Sequence, residues 1–176
     1  GIAYPAAVTA AAGLLFPGRA TGSIVFRDGR PVGSRLIGQA FTDPGHFWGR
    51  PSATTPTPYA ADASSGSNLA VSKPAQVDSV TSRADRLRAA DPGNTAPIPP
   101  DLLTASASGL DPDISPEAAE YQVARVARSR GMPDSTIRKL VAEVTTGRTF
   151  GVFGEPRVNV LLLNLALDSA AATPSR

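Results

Sequence analysis

The side chains able to do chemistry in this chain are few, and their spacing excludes most reactions. It has one histidine, His46, and no cysteine, so disulfides, zinc-thiolate sites and thiol nucleophiles are all ruled out. Two lysines, Lys73 and Lys139, are the whole lysine complement. Neither follows a glycine-rich turn, so no Walker phosphate loop exists. A hydroxyl nucleophile would have to pair His46 with Ser106 or Ser108, and no Gly-x-Ser-x-Gly elbow surrounds either serine. Asp111-Pro112-Asp113-Ile114-Ser115 opens like a calcium loop. Its sixth position is Pro116 and its twelfth Gln122, where such a loop needs Gly and Glu, so calcium is rejected and Asp113 and Ser115 read as helix-start residues. The turn Ser64-Ser65-Gly66-Ser67-Asn68 could offer amides and hydroxyls to an anion or a partner, with Ser65, Gly66, Ser67 and Asn68 as the candidates. No cation accompanies it, and a plain polar turn is the simpler reading.

Composition narrows the classes further. At 176 residues the chain suits one domain plus extensions. Seventeen prolines and 16 glycines point to many loops and short elements. The net charge of +2 is too small, and the 15 arginines too scattered, for a nucleic-acid footprint, so no nucleic-acid partner is expected.

The elements that must position these residues begin with an uncharged stretch. No charge occurs before Arg19, and residues 2–16 are apolar apart from Thr9, Gly13 and Pro5. A run of fifteen residues is too short to cross a bilayer, which needs about 20 as a helix. Residues 1–17 are therefore expected to be the C-terminal part of a single membrane helix, with Pro17-Gly18 as the exit; a signal-peptide remnant is the rival reading. Ala3, Ala7 and Ala11 fall four apart and would give that helix a smooth stripe against which a partner helix could pack, although alanine is frequent throughout the chain.

Beyond Gly18, residues 18–168 are expected to form one domain and residues 169–176 a disordered tail. The strand-like runs 23–26 and 32–37 flank Arg27-Asp28-Gly29-Arg30, a favoured hairpin turn. Residues 42–68 read as an ordered but irregular segment, anchored by Phe47, Trp48 and Tyr59. Val77, Val80, Ala84 and Leu87 recur at helical spacing up to Asp91-Pro92-Gly93. Ser115-Pro116-Glu117 caps a helix over 116–130 that Gly131 ends, with Arg125, Arg128 and Arg130 towards its C-terminal end. Ile137, Leu140, Val141 and Val144 predict another helix after Pro133-Asp134, closed by Gly147. The apolar run 158–167 could be strand or helix. Its alanine and leucine content favours a helix, with Asn159 capping and Asn164 at an interface. The sum is an α+β domain: a small early hairpin or sheet and three to four helices, preceded by the truncated membrane helix.

Phe47-Trp48-Gly49-Arg50-Pro51 carries two readings. Either the rings are core and Arg50 fixes loop carbonyls, or Trp48 and Arg50 form an exposed hot spot for a partner. A proline-rich loop needs buried rings to stay ordered, which favours the core.

Strings spread over nearly the whole chain also carry a family resemblance. They are Ser34-Arg35-Leu36-Ile37-Gly38-Gln39, Phe47-Trp48-Gly49-Arg50-Pro51-Ser52-Ala53-Thr54, Ser65-Gly66-Ser67-Asn68-Leu69 and residues 103–111. Ile114-Ser115-Pro116, Tyr121-Gln122, Arg125-Val126-Ala127, Arg157-Val158-Asn159-Val160 and Leu165-Ala166-Leu167-Asp168 follow in order. The succession resembles the C subunit of the bacterial Kdp potassium-transporting P-type ATPase. Ser65-Gly66-Ser67 departs from the two adjacent glycines of the family pattern, which leaves a tight backbone role of that turn open.

The resemblance implies a non-catalytic accessory subunit. Its partners would be a potassium-conducting A subunit, an ATP-hydrolysing B subunit and membrane lipid. It implies location at the cell membrane as a single-pass chain with its main domain outside the cytoplasm. No cofactor bound tightly is implied; ATP enters only through the complex, where relatives are described as catalytic chaperones that raise the B subunit's ATP affinity. Two alternatives from other classes stand beside it: a membrane-tethered extracytoplasmic hydrolase using His46 with Ser106 or Ser108, and a ligand-binding module.

Overall fold

The computed structural model describes residues 1–172. Two helices open the chain: α1 (Ala3–Leu15) and the short α2 (Pro17–Ala20). Neither buries a residue. Phe16 breaks them apart with φ −137° and ψ 55°, and Pro17 then occupies the first turn of α2, where its missing N–H costs nothing. The expected continuous helix over 1–17 is thus interrupted at Phe16. No helix among the described residues is long and apolar enough to cross a membrane.

Strands β1 (Ile24–Arg27) and β2 (Arg30–Ser34) form the expected hairpin. Asp28 and Gly29 both take positive φ, 51° and 74°. This is the geometry whose twist matches paired strands. The chain then runs irregularly to α3 (Pro74–Ala90), and a single 3-10 turn, Pro100–Leu102, follows in the proline-rich link.

The second half holds the core. Helix α4 (Pro116–Arg130) starts and stops where its sequence signals it: Ser115 Oγ accepts the Ala118 N–H at 3.0 Å, and Gly131 leaves the helix at φ 63°. An αL residue there lets the last carbonyls find N–H partners. Helix α5 (Asp134–Val144) turns back against α4. It ends at Val144 because Thr145 is already extended, three residues or so before the expected stop at Gly147.

A three-stranded antiparallel sheet escaped the sequence reading. In it β5 (Arg157–Asn159) lies between β3 (Asp113–Ile114) and β4 (Thr145–Thr146). Val158 is therefore a strand residue, and α6 (Val160–Ala172) begins after it. Two- and three-residue strands are too short to show a period of two. Asn159 does cap α6, accepting the Leu162 N–H at 3.1 Å. Asp113 is not a helix-start residue: it sits in β3 and accepts from Asn159 Nδ2 at 2.9 Å. Helix α6 also carries on past the expected domain limit at 168, since Ser169-Ala170-Ala171-Ala172 suits a helix. The rest of the expected tail, 173–176, lies outside the described residues.

Phe47, Val123, Val126, Ile137, Val158, Leu163 and Leu167 meet at full burial between α4, α5, α6 and β5. Each such side chain is worth about 1.5–3 kcal/mol against leaving it in water. The architecture is α+β; among the described residues α3 to α6 belong to the domain body, and α1 buries no residue against it.

Candidate functional site

The segment around Trp48 has no regular backbone partners, so other groups must satisfy its N–H and C=O. Two side-chain amides do so, each acting like a neighbouring strand. Asn164, on α6, accepts the Phe47 N–H at 2.8 Å and donates to the Phe47 carbonyl at 3.0 Å. Gln122, on α4, accepts the Trp48 N–H at 2.8 Å and donates to the Trp48 carbonyl at 3.1 Å. Both amides are buried. Sequence reasoning placed Asn164 at an interface but missed Gln122, whose signal was a polar residue on the apolar side of α4 between Ala118 and Val126.

Phe47 is 0% and Trp48 6% exposed, which is the burial of core residues. Trp48 Nε1 donates to the Asp43 carbonyl at 2.9 Å. Two guanidinium groups lie against its ring, Arg125 at 4.5 Å and Arg86 at 5.0 Å from the centroid, the range of cation–π attraction. Arg125 is itself buried. It donates to Gln122 Oε1 at 2.7 Å and to the Pro44 carbonyl. Burial pulls its pKa down to about 10 against the opposing fields of Asp91 and Asp43, so it stays cationic at neutral pH.

Arg50 does not fix loop carbonyls as expected. Its Nη1 donates to Asp111 Oδ2 at 2.9 Å, and it is the Arg50 carbonyl that receives a bond, from Tyr59 Oη at 2.5 Å. Burial, helped by Asp111, raises the Tyr59 pKa to about 12, so that phenol remains a donor. Gly38 is packed beneath the same ring, and a Cβ there would also stand 2.6 Å from the Asp111 carbonyl oxygen.

His46 borders this segment. Its Nδ1 lies 3.2 Å from Asp43 Oδ1 and its Nε2 3.4 Å from Asp168 Oδ1. Asp168 also binds Arg130 at 2.7 Å and Arg27 at 2.9 Å, tying the hairpin to the ends of α4 and α6. Burial opposes the charge on Asp168, but the hydrogen bonds from Arg130 and Arg27, with the fields of Arg130 and His46, outweigh it and hold its pKa below the ordinary value.

The hydroxyls of Ser106 and Ser108 serve a turn instead of His46. Ser106 Oγ accepts the Gly109 N–H at 2.9 Å, and Ser108 Oγ accepts the Leu110 N–H at 3.2 Å. No group of three or more histidine, aspartate or glutamate side chains able to hold a metal occurs among the described residues. The Ser64–Asn68 turn is packed on that same 106–109 turn: Ser64 Oγ donates to the Ser108 carbonyl at 3.0 Å. A Cβ on Gly66 would stand 2.8 Å from the Ala107 carbonyl oxygen. One glycine thus does make a close backbone approach, in the turn where Ser65-Gly66-Ser67 departs from the family pattern. Ser65, Ser67 and Asn68 are exposed, as are Ala3, Ala7 and Ala11 on α1.

Residues 1–169 match the family model described as KdpC: K+-transporting ATPase, c chain. The chain belongs to this family. Its relatives include a potassium-transporting ATPase KdpC subunit of Polaromonas naphthalenivorans, 66% identical over 96% of this chain and 86% of that protein. The subunit of the same name in Variovorax paradoxus is 63% identical over 98% of this chain and 89% of its own length. That of Sorangium cellulosum is 60% identical over 97% and 90%. Several of the strings behind the resemblance meet in space in this KdpC-family chain: Phe47 to Arg50, Gln122, Arg125 and Asp168 all belong to the network just described or to its border.

Proposed function

We propose that the chain is a non-catalytic accessory subunit of an ATP-driven potassium-uptake complex, assembled with a potassium-conducting A subunit and an ATP-hydrolysing B subunit. The observation that carries this is the family match over residues 1–169. Potassium-transporting ATPase subunits 60–66% identical to the chain support it. The network around Trp48 is consistent with a subunit that presents a rigid surface. Its two buried amides are consumed in holding the backbone, and no nucleophile in it stands beside an activating base.

In this reading α1 lies in the membrane, with residues 18–168 outside the cytoplasm. What supports it is an uncharged helix of 13 residues with none of them buried against the body. Ala3, Ala7 and Ala11 then face a partner helix, since small side chains let helices approach closely in lipid. A domain so placed cannot reach cytoplasmic ATP. The effect of relatives on ATP affinity would therefore be exerted through the partners, by supporting assembly or the potassium entrance, and the chain itself binds no cofactor tightly. Ser65, Gly66, Ser67 and Asn68 hold a turn in this reading.

Copurification tests the assignment. The chain, expressed with A and B subunits, should be isolated with both and should be required for potassium-stimulated ATP hydrolysis, while alone it hydrolyses nothing. ATPase activity of the purified chain, abolished by one of its own point substitutions, would overturn it. Ala7→Leu should lower the yield of complex and Leu14→Ile should not; equal yields would remove the alanine face.

A further inference from the structure

Three of the four most exposed large apolar side chains of the body lie in one loop; the fourth, Val71, stands alone in the irregular segment before α3. Phe150, Val152 and Phe153 are 90%, 69% and 68% exposed. The loop is nonetheless well tied: the Thr149 N–H reaches the Phe153 carbonyl at 2.8 Å, the Phe153 N–H returns to the Thr149 carbonyl at 3.0 Å, and Arg148 pairs with Glu155 at 2.6 Å. Folding gains nothing from three large apolar side chains held in water within four residues. Such a patch is explained by what covers it.

Its place in the fold says what that is. The loop springs from β4 and β5, whose Thr146 and Arg157 line a cleft of about 1110 Å³ together with Phe16, Arg19, Phe26 and Leu36. The loop's root and the foot of α1 therefore border one cleft. Phe16, Phe26 and Leu36 are themselves more than half exposed. Arginines ring this apolar surface. Arg148 and Arg157 are paired with Glu155 and Asp113, but Arg19 and Arg35 have no carboxylate partner among the described residues. The Arg19 guanidinium instead lies 5.9 Å from the Phe16 ring centroid.

We propose that the loop 148–153 and the adjoining cleft seat on the anionic lipid surface where α1 enters the membrane. Phe150, Val152 and Phe153 enter the interfacial layer, and Arg19 and Arg35 face lipid phosphates. An apolar tip within a cationic collar is the pattern that binds such surfaces, through buried apolar area and attraction to anionic headgroups together. The inference rests on the placement of α1 in the membrane, and the test separates the two.

The absence of native cysteine makes single-cysteine labelling clean. The full chain would be reconstituted in vesicles of phosphatidylcholine and phosphatidylglycerol, carrying a fluorophore at Ala7→Cys, Val152→Cys or Thr95→Cys, the last exposed in the proline-rich link. Nitroxide lipids quench a fluorophore that lies at their depth. The Ala7 label should be quenched by a deep nitroxide, the Val152 label by a shallow one at least about twofold more than the Thr95 label, and the latter difference should shrink in vesicles without phosphatidylglycerol. Quenching at Ala7 with Val152 no different from Thr95 overturns the loop proposal and leaves α1 standing. No quenching at either overturns both. Equal quenching at Val152 in neutral vesicles overturns the anionic part. Shielding of Val152 only when A and B subunits are present would make the loop a protein interface and overturn the lipid reading.

Discussion

The segment around Trp48 and the surface formed by α1 with the loop 148–153 solve opposite problems. In the first, a backbone without helix or strand is satisfied from inside the chain, by Gln122 and Asn164. In the second, the backbone is satisfied by its own helix or turn, and the apolar side chains find no cover among the described residues. The difference separates what the fold needs from what the assembly needs. Substitutions in the first region should therefore be read out as stability, and those in the second as association.

The largest effect should come from Trp48→Ala. It empties a core site and removes the ring that Arg86 and Arg125 face, at a cost on the order of 3–5 kcal/mol. Thermal denaturation of the chain measures it. An unchanged melting temperature combined with lost assembly would make Trp48 an interface residue and collapse the comparison. Gln122→Leu comes next. The leucine fills much of the same volume but leaves the Trp48 N–H and carbonyl buried without partners and takes an acceptor from Arg125, for about 2–4 kcal/mol. A loss no larger than that of an exposed substitution would show that the amide is not what holds the loop.

Much of the fold was legible because its signals are local. Ser115-Pro116 and Gly131 bound α4 by capping chemistry, and Asp28-Gly29 specify their turn by positive φ. The three-stranded sheet was not legible. Its strands of two and three residues pair Asp113 with Asn159 and Thr146 with Arg157, and nothing within so short a run announces a partner 11 or more residues away. The site divides in the same way. The burial of Trp48 followed from its type and its loop, whereas the Arg50–Asp111 pair joins residues 61 apart and had no local signal. Gln122 is the instructive case. A glutamine on an apolar helix face reads as an imperfection in the pattern until the loop that it completes is in view.

Acid should act on the border of the two regions, with smaller effects of opposite sign. Asp168 has a depressed pKa, so its contribution is present above the ordinary carboxylate value near 3.8 and is lost as pH falls through the lower folded value. Asp113 is raised, by burial first and then by Asp111, against the hydrogen bond from Asn159 and the charge of Arg157. It binds its proton sooner in the folded state, so it gains stability as pH falls. Melting temperatures followed from pH 6 towards about pH 3 should therefore fall less steeply in Asp168→Asn and more steeply in Asp113→Asn. Parallel curves for all three proteins would mean that neither carboxylate is coupled to folding.

The smallest effect on stability should come from the most exposed residue of the comparison. Phe150 is 90% exposed; the loop's hydrogen bonds run between the backbones of Thr149 and Phe153, and its ion pair between Arg148 and Glu155. None of these uses the Phe150 ring. Phe150→Ser should therefore change unfolding free energy by no more than about 0.5 kcal/mol, as surface substitutions do. Its cost should appear only when the surroundings of the chain are restored. In vesicles or in the assembled complex the serine gives up the burial of a phenyl ring, worth roughly 1.5–3 kcal/mol when complete, so association should weaken by about tenfold or more. Denaturation and association measured on the same variant bear on the comparison together. A large loss of stability in the isolated chain would show that the loop belongs to the fold, and the division between a self-satisfied body and an outward apolar surface would fail at its most exposed point.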